Sequence, residues 1–297
     1  MSTHSSVTPP PDLYVAVNGV NTRYWQMGDR GSKIVLLHGG NGSIEFWLYN
    51  IAALAQHHQV YAFDMVGSGK SDYPDGSYSL GYQAEFLHDF MSALAIDSAT
   101  LIGNSMGGGV ALEFTRLYPD RVDKLVLVDS MGLGREISMG IRLITLPAIV
   151  NLLRPGRWMI PAMLKSNFHN SDRLPPEWIE FRYPIFAIPG RNQVILRLGQ
   201  SNFNLAGVRA EVYQPIVDSL ARITQKTLII WGECDRIIPV KHAYTAVEGL
   251  PNSQLEIFPN CGHHPYLEYP AKFNRLVLDF LTALKIGAII PIAPIKK

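Results

Sequence analysis

The sequence has little of what would place it in a specialised class of protein. Only two of its 297 residues are cysteines, too few for a disulfide framework, and nothing has the Cys/His spacing of a structural zinc site. Because disulfides are mainly an extracellular device, a reducing compartment and a cytoplasmic location are expected. Lysine and arginine (26) nearly balance aspartate and glutamate (25), so no net charge attracts nucleic acid.

Long apolar runs are also lacking, and without an apolar stretch of about 18 residues no membrane-spanning helix is predicted. Residues 1–11 are polar and proline-rich and predict a disordered arm rather than a signal peptide. The apolar stretch 143–153 is interpreted as a lid helix. The apolar tail 286–297 is interpreted as a strand-like segment lying on the body, since Pro291 and Pro294 prevent a regular helix. Contact of either stretch with a membrane or a partner stays open.

The apolar content that is present, 47% of residues, is enough for a substantial core. Short apolar runs alternate with segments of helical periodicity, which is typical of a mainly parallel sheet covered on both faces. The predicted strands are 14–20, 21–27 (after an Asn-Gly turn), 33–37, 60–63, 100–102, 125–128, 227–231 and 255–258. The predicted helices are 47–55, 80–94, 106–118, 240–247 and 271–284.

The interval 132–215 interrupts this alternation. It is rich in proline, arginine and aromatic residues, indicates several short helices, and contains no convincing strand. We interpret it as a helical cap inserted after the sixth strand of a core formed by residues 12–131 and 216–285. Its aromatic side chains predict a largely apolar substrate pocket; they are Trp158, Phe168, Trp178, Phe181 and Phe186.

The segment Gly103–Gly107 reads G-x-S-x-G and joins a predicted strand to a predicted helix. This is the pattern of a nucleophile elbow, in which glycines flank the serine because the turn is tight. Ser105 is therefore the candidate nucleophile. The N-terminus of the helix that follows offers N–H groups to a developing oxyanion.

A serine nucleophile needs a base that is oriented by an acid. Asp235 and His263 each follow a later predicted strand, and the order Ser105, Asp235, His263 is the Ser–Asp–His order that accompanies this motif. His264 is an alternative base, although Gly262 gives the loop freedom to turn the His263 ring inward. Asp129, at the end of the sixth strand, is an alternative acid.

The His38-Gly39-Gly40 segment follows the third predicted strand. In this architecture the loop after that strand supplies the second oxyanion N–H, so Gly40 and Met106 are the candidate donors. His38 is interpreted as a structural histidine that holds the loop.

Two other features favour structural interpretations. Residues 64–71 resemble a P-loop, but Asp64 stands where its first glycine belongs, and a carboxylate there would repel phosphate. We therefore predict a glycine-rich turn organised by Asp64. Cys234 and Cys261 lie near the predicted acid and base, and we interpret both as small loop-filling thiols.

Taken together, these motifs resemble the α/β-hydrolase superfamily over about residues 12–285. They are HGG (38–40), DMVGSGKS (64–71), GNSMGG (103–108), YPDRVDKLVLVD (118–129), WGECD (231–235) and CGHHPYLEYP (261–270). The resemblance implies an α/β-hydrolase fold, with a mostly parallel eight-stranded sheet, helices on both faces and a cap after strand 6. It also implies acyl transfer by Ser105, His263 and Asp235 without a metal or organic cofactor.

Within the superfamily, GNSMGGGVALEF and FNRLVLDFL (273–281) are most similar to the meta-cleavage-product hydrolases, which cleave a carbon–carbon bond. Those enzymes typically have a longer glycine run and a tryptophan where this chain has Asn41 and His264. Arg191 is a counterpart of their cap arginine, which binds the substrate carboxylate. Asn41, Arg191 and His264 are the candidate substrate-binding residues.

The resemblance leaves several alternatives open. Ester hydrolysis is as defensible as carbon–carbon cleavage, and both imply a small, largely apolar substrate. A non-hydrolytic relative (a ligand receptor, a lyase or a cofactor-free haloperoxidase-like enzyme) or a membrane-associated lipid hydrolase would share the fold. A homo-oligomer is also open.

Overall fold

The computed structural model describes residues 8–152, 165–170, 180, 183–185 and 187–283. Several predictions fall outside the described residues. They concern residues 1–7 of the arm, the tail 286–297, and the cap aromatics Trp158, Trp178, Phe181 and Phe186.

Ten described strands form one eight-stranded sheet, in the order β1-β2-β4-β3-β5-β6-β9-β10, and a separate two-stranded hairpin, β7-β8. From β4 to β10 all neighbouring strands of the large sheet are parallel, and β1 and β2 are antiparallel to their neighbours. This arrangement confirms the predicted fold class. The strands are β1 (Leu13–Val17), β2 (Val20–Met27), β3 (Lys33–Leu37), β4 (Gln59–Phe63), β5 (Ala99–Asn104), β6 (Val122–Val128), β7 (Phe203–Asn204), β8 (Gly207–Val208), β9 (Lys226–Gly232) and β10 (Ser253–Phe258).

The first two strands form the predicted hairpin. Asn18 and Gly19 join them with φ angles of 49° and 81°. A two-residue turn of this kind needs positive φ at both central positions, which Asn-Gly adopts readily. The hairpin prediction is confirmed.

The helices cover both faces of the sheet, as the continuous apolar strands predict. In β3, Val35 and Leu37 join an apolar core on one face, whereas Ile34 and Leu36 join the core on the other. Helices α2, α3 and α8 pack on the first face, and α1, α9 and α10 on the second. The helices are α1 (Ile51–Leu54), α2 (Leu80–Ala93), α3 (Met106–Leu117), α4 (Met139–Leu143), α5 (Pro147–Leu152), α6 (Arg191–Asn202), α7 (Ala210–Val217), α8 (Lys241–Gly249), α9 (Pro265–Glu268) and α10 (Pro270–Thr282).

Two local predictions were wrong. The single helix predicted over 47–55 is a 3-10 turn, Ile44–Trp47, followed by the short α1. Asn50 separates them, and its side chain donates to Tyr266 O and to Asn274 Oδ1 of the neighbouring helices α9 and α10 on the same face of the sheet. The cap interval also contains the β7-β8 hairpin, whose strands of two residues are too short to show an alternating pattern.

The parallel strands bring the predicted site residues to one edge of the sheet. Ser105 follows β5, Asp129 follows β6, Asp235 follows β9 and His263 follows β10. In an open α/β sheet this carboxyl edge is where ligands bind. Among the helices that the structure describes, none is both long and apolar enough to cross a bilayer.

Candidate active site

Ser105 lies on a strained turn between β5 and α3. Its φ of 55° and ψ of −118° lie outside the regions that a serine readily adopts, and its side chain is only half-buried. Ser105 N–H donates to Val128 O, and Ser105 O accepts from the N–H groups of Gly109 and Met131. These backbone bonds hold the strained residue at the edge of the sheet.

Glycine is required on both sides of Ser105, because other backbone segments pass very close to Gly103 and Gly107. A Cβ on Gly103 would lie 2.3 Å from Gly107 O, and one on Gly107 would lie 2.4 Å from Leu37 O. Such distances are far inside van der Waals contact, so no other residue fits without moving the backbone. The turn that presents Ser105 therefore depends on glycine at both positions.

Asp235 and His263 are joined by a hydrogen bond of 2.8 Å between Asp235 Oδ2 and His263 Nδ1. Both side chains are almost completely buried. Asp235 Oδ1 accepts from the N–H groups of Ile237 and Ile238 at 2.7 and 3.1 Å. These bonds orient the Asp235 carboxyl group, and its other oxygen accepts the hydrogen bond that places the His263 proton on Nδ1.

The serine is not hydrogen-bonded to this pair. Among the described residues, no hydrogen bond joins Ser105 Oγ to the His263 ring. In structures without substrate such contacts are often long and tighten only in the complex. The structure thus brings the candidate acid and the candidate base together, and the candidate nucleophile lies at the same edge of the sheet.

Asp129, the alternative acid, is also at the site. One ligand atom each from Asp129, Asp235 and His263 lie within 4.8 Å of one another, which is close enough to hold a metal ion. A metal on His263 Nδ1 would, however, displace the proton that Asp235 accepts. Burial and the neighbouring Asp235 carboxylate raise the pKa of Asp129 well above that of an ordinary aspartate.

The candidate oxyanion donors lie next to each other. A Cβ built on Gly40 would lie 3.7 Å from Met106 Sδ, and Met106 is the first residue of α3. The first N–H groups of a helix have no partner within it. Within the described ranges, neither N–H makes a backbone hydrogen bond outside the regular elements. Two donors are therefore available near Ser105.

His38 has the structural contacts that the sequence predicts. Its Nε2 accepts from Met65 N–H at 3.1 Å, so Nδ1 carries the proton and donates it to Gly39 O at 2.8 Å. The ring is completely buried. It fixes the loop after β3 rather than facing substrate.

Asp64 likewise organises the glycine-rich turn 64–71. Its buried carboxylate accepts from the N–H groups of Ile44 and Lys70 at 2.8 Å and from Arg23 at 3.2 Å. A Cβ on Gly69 would lie 2.0 Å from that carboxyl group. The carboxylate thus occupies the space that a P-loop would give to phosphate.

His264 is buried in an aromatic environment. Its ring centroid lies 5.4 Å from Phe46, 5.5 Å from Phe168 and 5.1 Å from His263. Tyr266 Oη is 3.3 Å from its Nδ1. His264 therefore contacts the ring of His263 and is not the residue paired with Asp235.

Arg191 and Asn41 come together, although 150 residues separate them. Arg191 begins the cap helix α6, is almost completely buried, and donates a hydrogen bond to Asn41 Oδ1. Asn41 directly follows Gly40, so the contact places a guanidinium group beside the candidate oxyanion donors.

Sequence reasoning missed two residues that join the loops carrying the candidate site residues. Asn104 donates to Val128 O at 3.1 Å and to His263 O at 3.2 Å, and so ties the serine turn to the histidine loop. Tyr266 Oη donates to Asn104 Oδ1 at 3.2 Å. The position of Asn104 beside Ser105 in the elbow was the signal that could have found it.

The second is Glu268, which joins the histidine loop to the interval 132–215, the predicted cap. Its buried carboxylate accepts from Gly262 N–H at 2.7 Å and from the cap residues His169 and Asn170 at 3.2 and 3.4 Å. A Cβ on Gly262 would lie 2.5 Å from Asn167 O, so glycine permits this close passage. Burial raises the pKa of Glu268, and these N–H groups oppose that shift.

The two cysteines are not bonded to each other. Cys261 is buried, with its Sγ 3.7 Å from Glu268 Oε1. Burial and the neighbouring carboxylates raise the pKa of Cys261, so its thiol stays protonated. Cys234 N–H donates to Cys261 O at 2.8 Å, which links the acid loop to the histidine loop through the backbone.

The family model described as alpha/beta hydrolase fold matches residues 33–270, which include every residue discussed at this edge of the sheet. The chain belongs to the α/β-hydrolase family. This α/β hydrolase is 31% identical over 278 residues to a 2-hydroxy-6-oxo-6-(2'-aminophenyl)hexa-2,4-dienoic acid hydrolase from Metapseudomonas resinovorans, and the match covers 91% of each chain.

Two further relatives are similar over most of their length. The α/β hydrolase is 32% identical over 259 residues to a 2-hydroxy-6-oxo-6-phenylhexa-2,4-dienoate hydrolase from Burkholderia cepacia, covering 85% of this chain and 88% of the relative. A solved meta-cleavage product hydrolase from Pseudomonas fluorescens IP01 superposes with a TM-score of 0.78 at 27% identity, covering 90% of this chain and 96% of that one. The resemblance to meta-cleavage-product hydrolases is confirmed.

Proposed function

We propose that this chain is a serine hydrolase that cleaves the carbon–carbon bond beside a carbonyl in a small, largely apolar substrate carrying a carboxylate. The observation that carries the proposal is the 2.8 Å hydrogen bond between His263 and Asp235 at the sheet edge that also presents Ser105. A buried histidine with its Nδ1 proton held by a carboxylate is arranged to accept a proton on Nε2.

The proposed mechanism is acyl transfer. His263 Nε2 takes the proton of Ser105 Oγ, which bonds to the substrate carbonyl carbon, while the N–H groups of Gly40 and Met106 stabilise the oxyanion. The carbon–carbon bond breaks, and the leaving fragment takes the proton from His263. Water, activated by the same histidine, then releases the acid from Ser105. This route needs no metal or organic cofactor.

Arg191 supports a substrate with a carboxylate. Its buried guanidinium reaches Asn41, one residue from the proposed oxyanion donor Gly40. A guanidinium offers two parallel N–H donors that match a carboxylate, and Asn41 preorients them. The two relatives named above are hydrolases of hexadienoic acids, and such substrates carry this group.

The test compares a meta-cleavage dienoate with p-nitrophenyl butyrate in the wild type, Ser105→Ala and Arg191→Gln. We expect Ser105→Ala to lower kcat at least ~10³-fold on any substrate that the wild type turns over. Arg191→Gln should raise KM for the dienoate about 10-fold or more and leave KM for the neutral ester nearly unchanged.

Ester hydrolysis is the second candidate, and the departures at Asn41 and His264 from the usual pattern favour it. It takes precedence if the ester is turned over and the dienoate is not. An active Ser105→Ala variant, or a wild type inactive on both substrates, would refute the serine mechanism and favour a non-hydrolytic relative.

A further inference from the structure

A second carboxyl group stands beside the proposed acid–base pair. Asp129 is completely buried at the end of β6, and its Oδ1 accepts from Gly232 N–H at 2.9 Å. Its Oδ2 is buried and has no hydrogen-bond partner among the residues that the structure describes. A carboxyl oxygen of Asp129 lies within 4.8 Å of both Asp235 and His263.

The two neighbouring aspartates differ in the hydrogen bonds that their carboxyl groups accept. Asp235 accepts three hydrogen bonds, from Ile237, Ile238 and His263, whereas Asp129 accepts one. No described lysine or arginine forms an ion pair with Asp129. Because two buried carboxylates this close repel each other, one of them retains a proton. The hydrogen bonds place that proton on Asp129.

We propose that Asp129 is a positioning residue that rests as a neutral carboxylic acid against Asp235, and that it becomes the anion opposite His263 when the charge of Asp235 is removed. The inference rests on the proposed triad and deepens it. A proton on Oδ2 gives this buried atom a hydrogen bond to donate, and Asp235 is the neighbouring carboxyl group, with oxygens of the two residues within 4.8 Å of each other.

The backbone fixes where this carboxyl group points. Asp129 has φ of 46°, in the left-handed region that aspartate and asparagine tolerate better than most residues. Its N–H donates to Ile230 O, and its Oδ1 accepts from Gly232, so β9 holds it at both ends. Asparagine at 129 keeps the backbone conformation, the acceptor for Gly232 and a donor toward Asp235.

The test is a double-mutant cycle on kcat and KM with Asp129→Asn, Asp235→Asn and the double variant. In the wild-type background we expect Asp129→Asn to lower kcat only about 3-fold, because an amide N–H replaces the acid O–H. Asp235→Asn should lower kcat by less than the ~10⁴-fold loss that follows when asparagine replaces the triad aspartate of a serine protease. The loss is smaller because Asp129 ionises in place of Asp235. The double variant should then lose at least about 30-fold more in kcat, with little change in KM.

If Asp129 only connects β6 to β9, Asp129→Asn should lower kcat by the same small factor in the wild type and in Asp235→Asn. That result would overturn the inference. A loss of more than about 30-fold from Asp129→Asn alone would also overturn it, because Asp129 would then act as an anion in the native site. Urea unfolding of every variant identifies losses due to misfolding. Asp129→Gly, which cannot ionise and tolerates the positive φ at this position, then replaces an Asp129→Asn variant that does not fold. Ser105→Ala separates the two proposals. If this variant stays active, the proposed triad is wrong. If it is inactive but the aspartate variants do not show the expected kcat values, only the inference about Asp129 is wrong.

Discussion

Replacing Glu268 by alanine should strongly destabilise the protein. The carboxylate accepts from Gly262 at 2.7 Å, from His169 at 3.2 Å and from Asn170 at 3.4 Å, and Cys261 Sγ lies 3.7 Å away. Hydrogen bonds to a charged group contribute about 1.5–3 kcal/mol each, so the two shorter bonds alone are worth ~3–6 kcal/mol.

Part of this gain is already offset in the wild type by the cost of burying the carboxylate, which raises the pKa of Glu268. We therefore expect Glu268→Ala to lower the free energy of unfolding by ~3 kcal/mol, a large fraction of the usual stability of a domain. Because the His263 loop loses its anchor to the cap, kcat should fall as well.

Urea unfolding followed by tryptophan fluorescence at pH 7 measures the first effect, and p-nitrophenyl butyrate turnover measures the second. Glu248→Ala is the matched control, because Glu248 is exposed on α8. That variant should stay within about 0.5 kcal/mol of the wild type. A loss below about 1 kcal/mol for Glu268→Ala would refute the reasoning, since the buried N–H groups would then have found other acceptors.

Three further outcomes are expected. Gly107→Ala should cost ~3 kcal/mol or prevent folding in urea experiments, because its Cβ would lie 2.4 Å from a backbone carbonyl of β3; Gly140→Ala, where a Cβ meets nothing within 4 Å, should be neutral or stabilising. Turnover should fall at least ~10³-fold in His263→Ala and under ~10-fold in His264→Ala, and the reverse order would assign the base to His264. Burial raises the pKa of Glu268, so the free energy of unfolding of the wild type should fall relative to that of Glu268→Gln as pH rises from 4 to 8. A wild type that instead gains stability relative to Glu268→Gln over this range would contradict the raised pKa.

The proposed nucleophile, acid and base could be predicted because each is tied to a local pattern. Ser105, Asp235 and His263 lie in the segments that follow three short strands, and parallel strands end at a common edge. The glycine at 107 is likewise visible in the motif, and its steric reason follows from the turn.

The contacts among the loops could not be predicted, because they join segments that are remote in the sequence. Asn104 reaches His263 across 159 residues, and Arg191 reaches Asn41 across 150. Residues this far apart in the sequence come into contact only in the folded structure, so the local periodicity of the sequence does not predict their contacts. The interrupted helix at Asn50 has the same origin, since partners on α9 and α10 determine it.

The Glu268 bonds to His169 and Asn170 described above limit how this enzyme can be recombined with its relatives, and His263 N–H adds a bond to Asn167 O at 2.8 Å. A cap is usually regarded as an exchangeable module that sets specificity while the sheet retains the chemistry. Here the backbone of the predicted cap helps to hold the proposed base in position. A chimera that imports a foreign cap should therefore lose turnover on every substrate unless the path of residues 167–170 is transplanted unchanged.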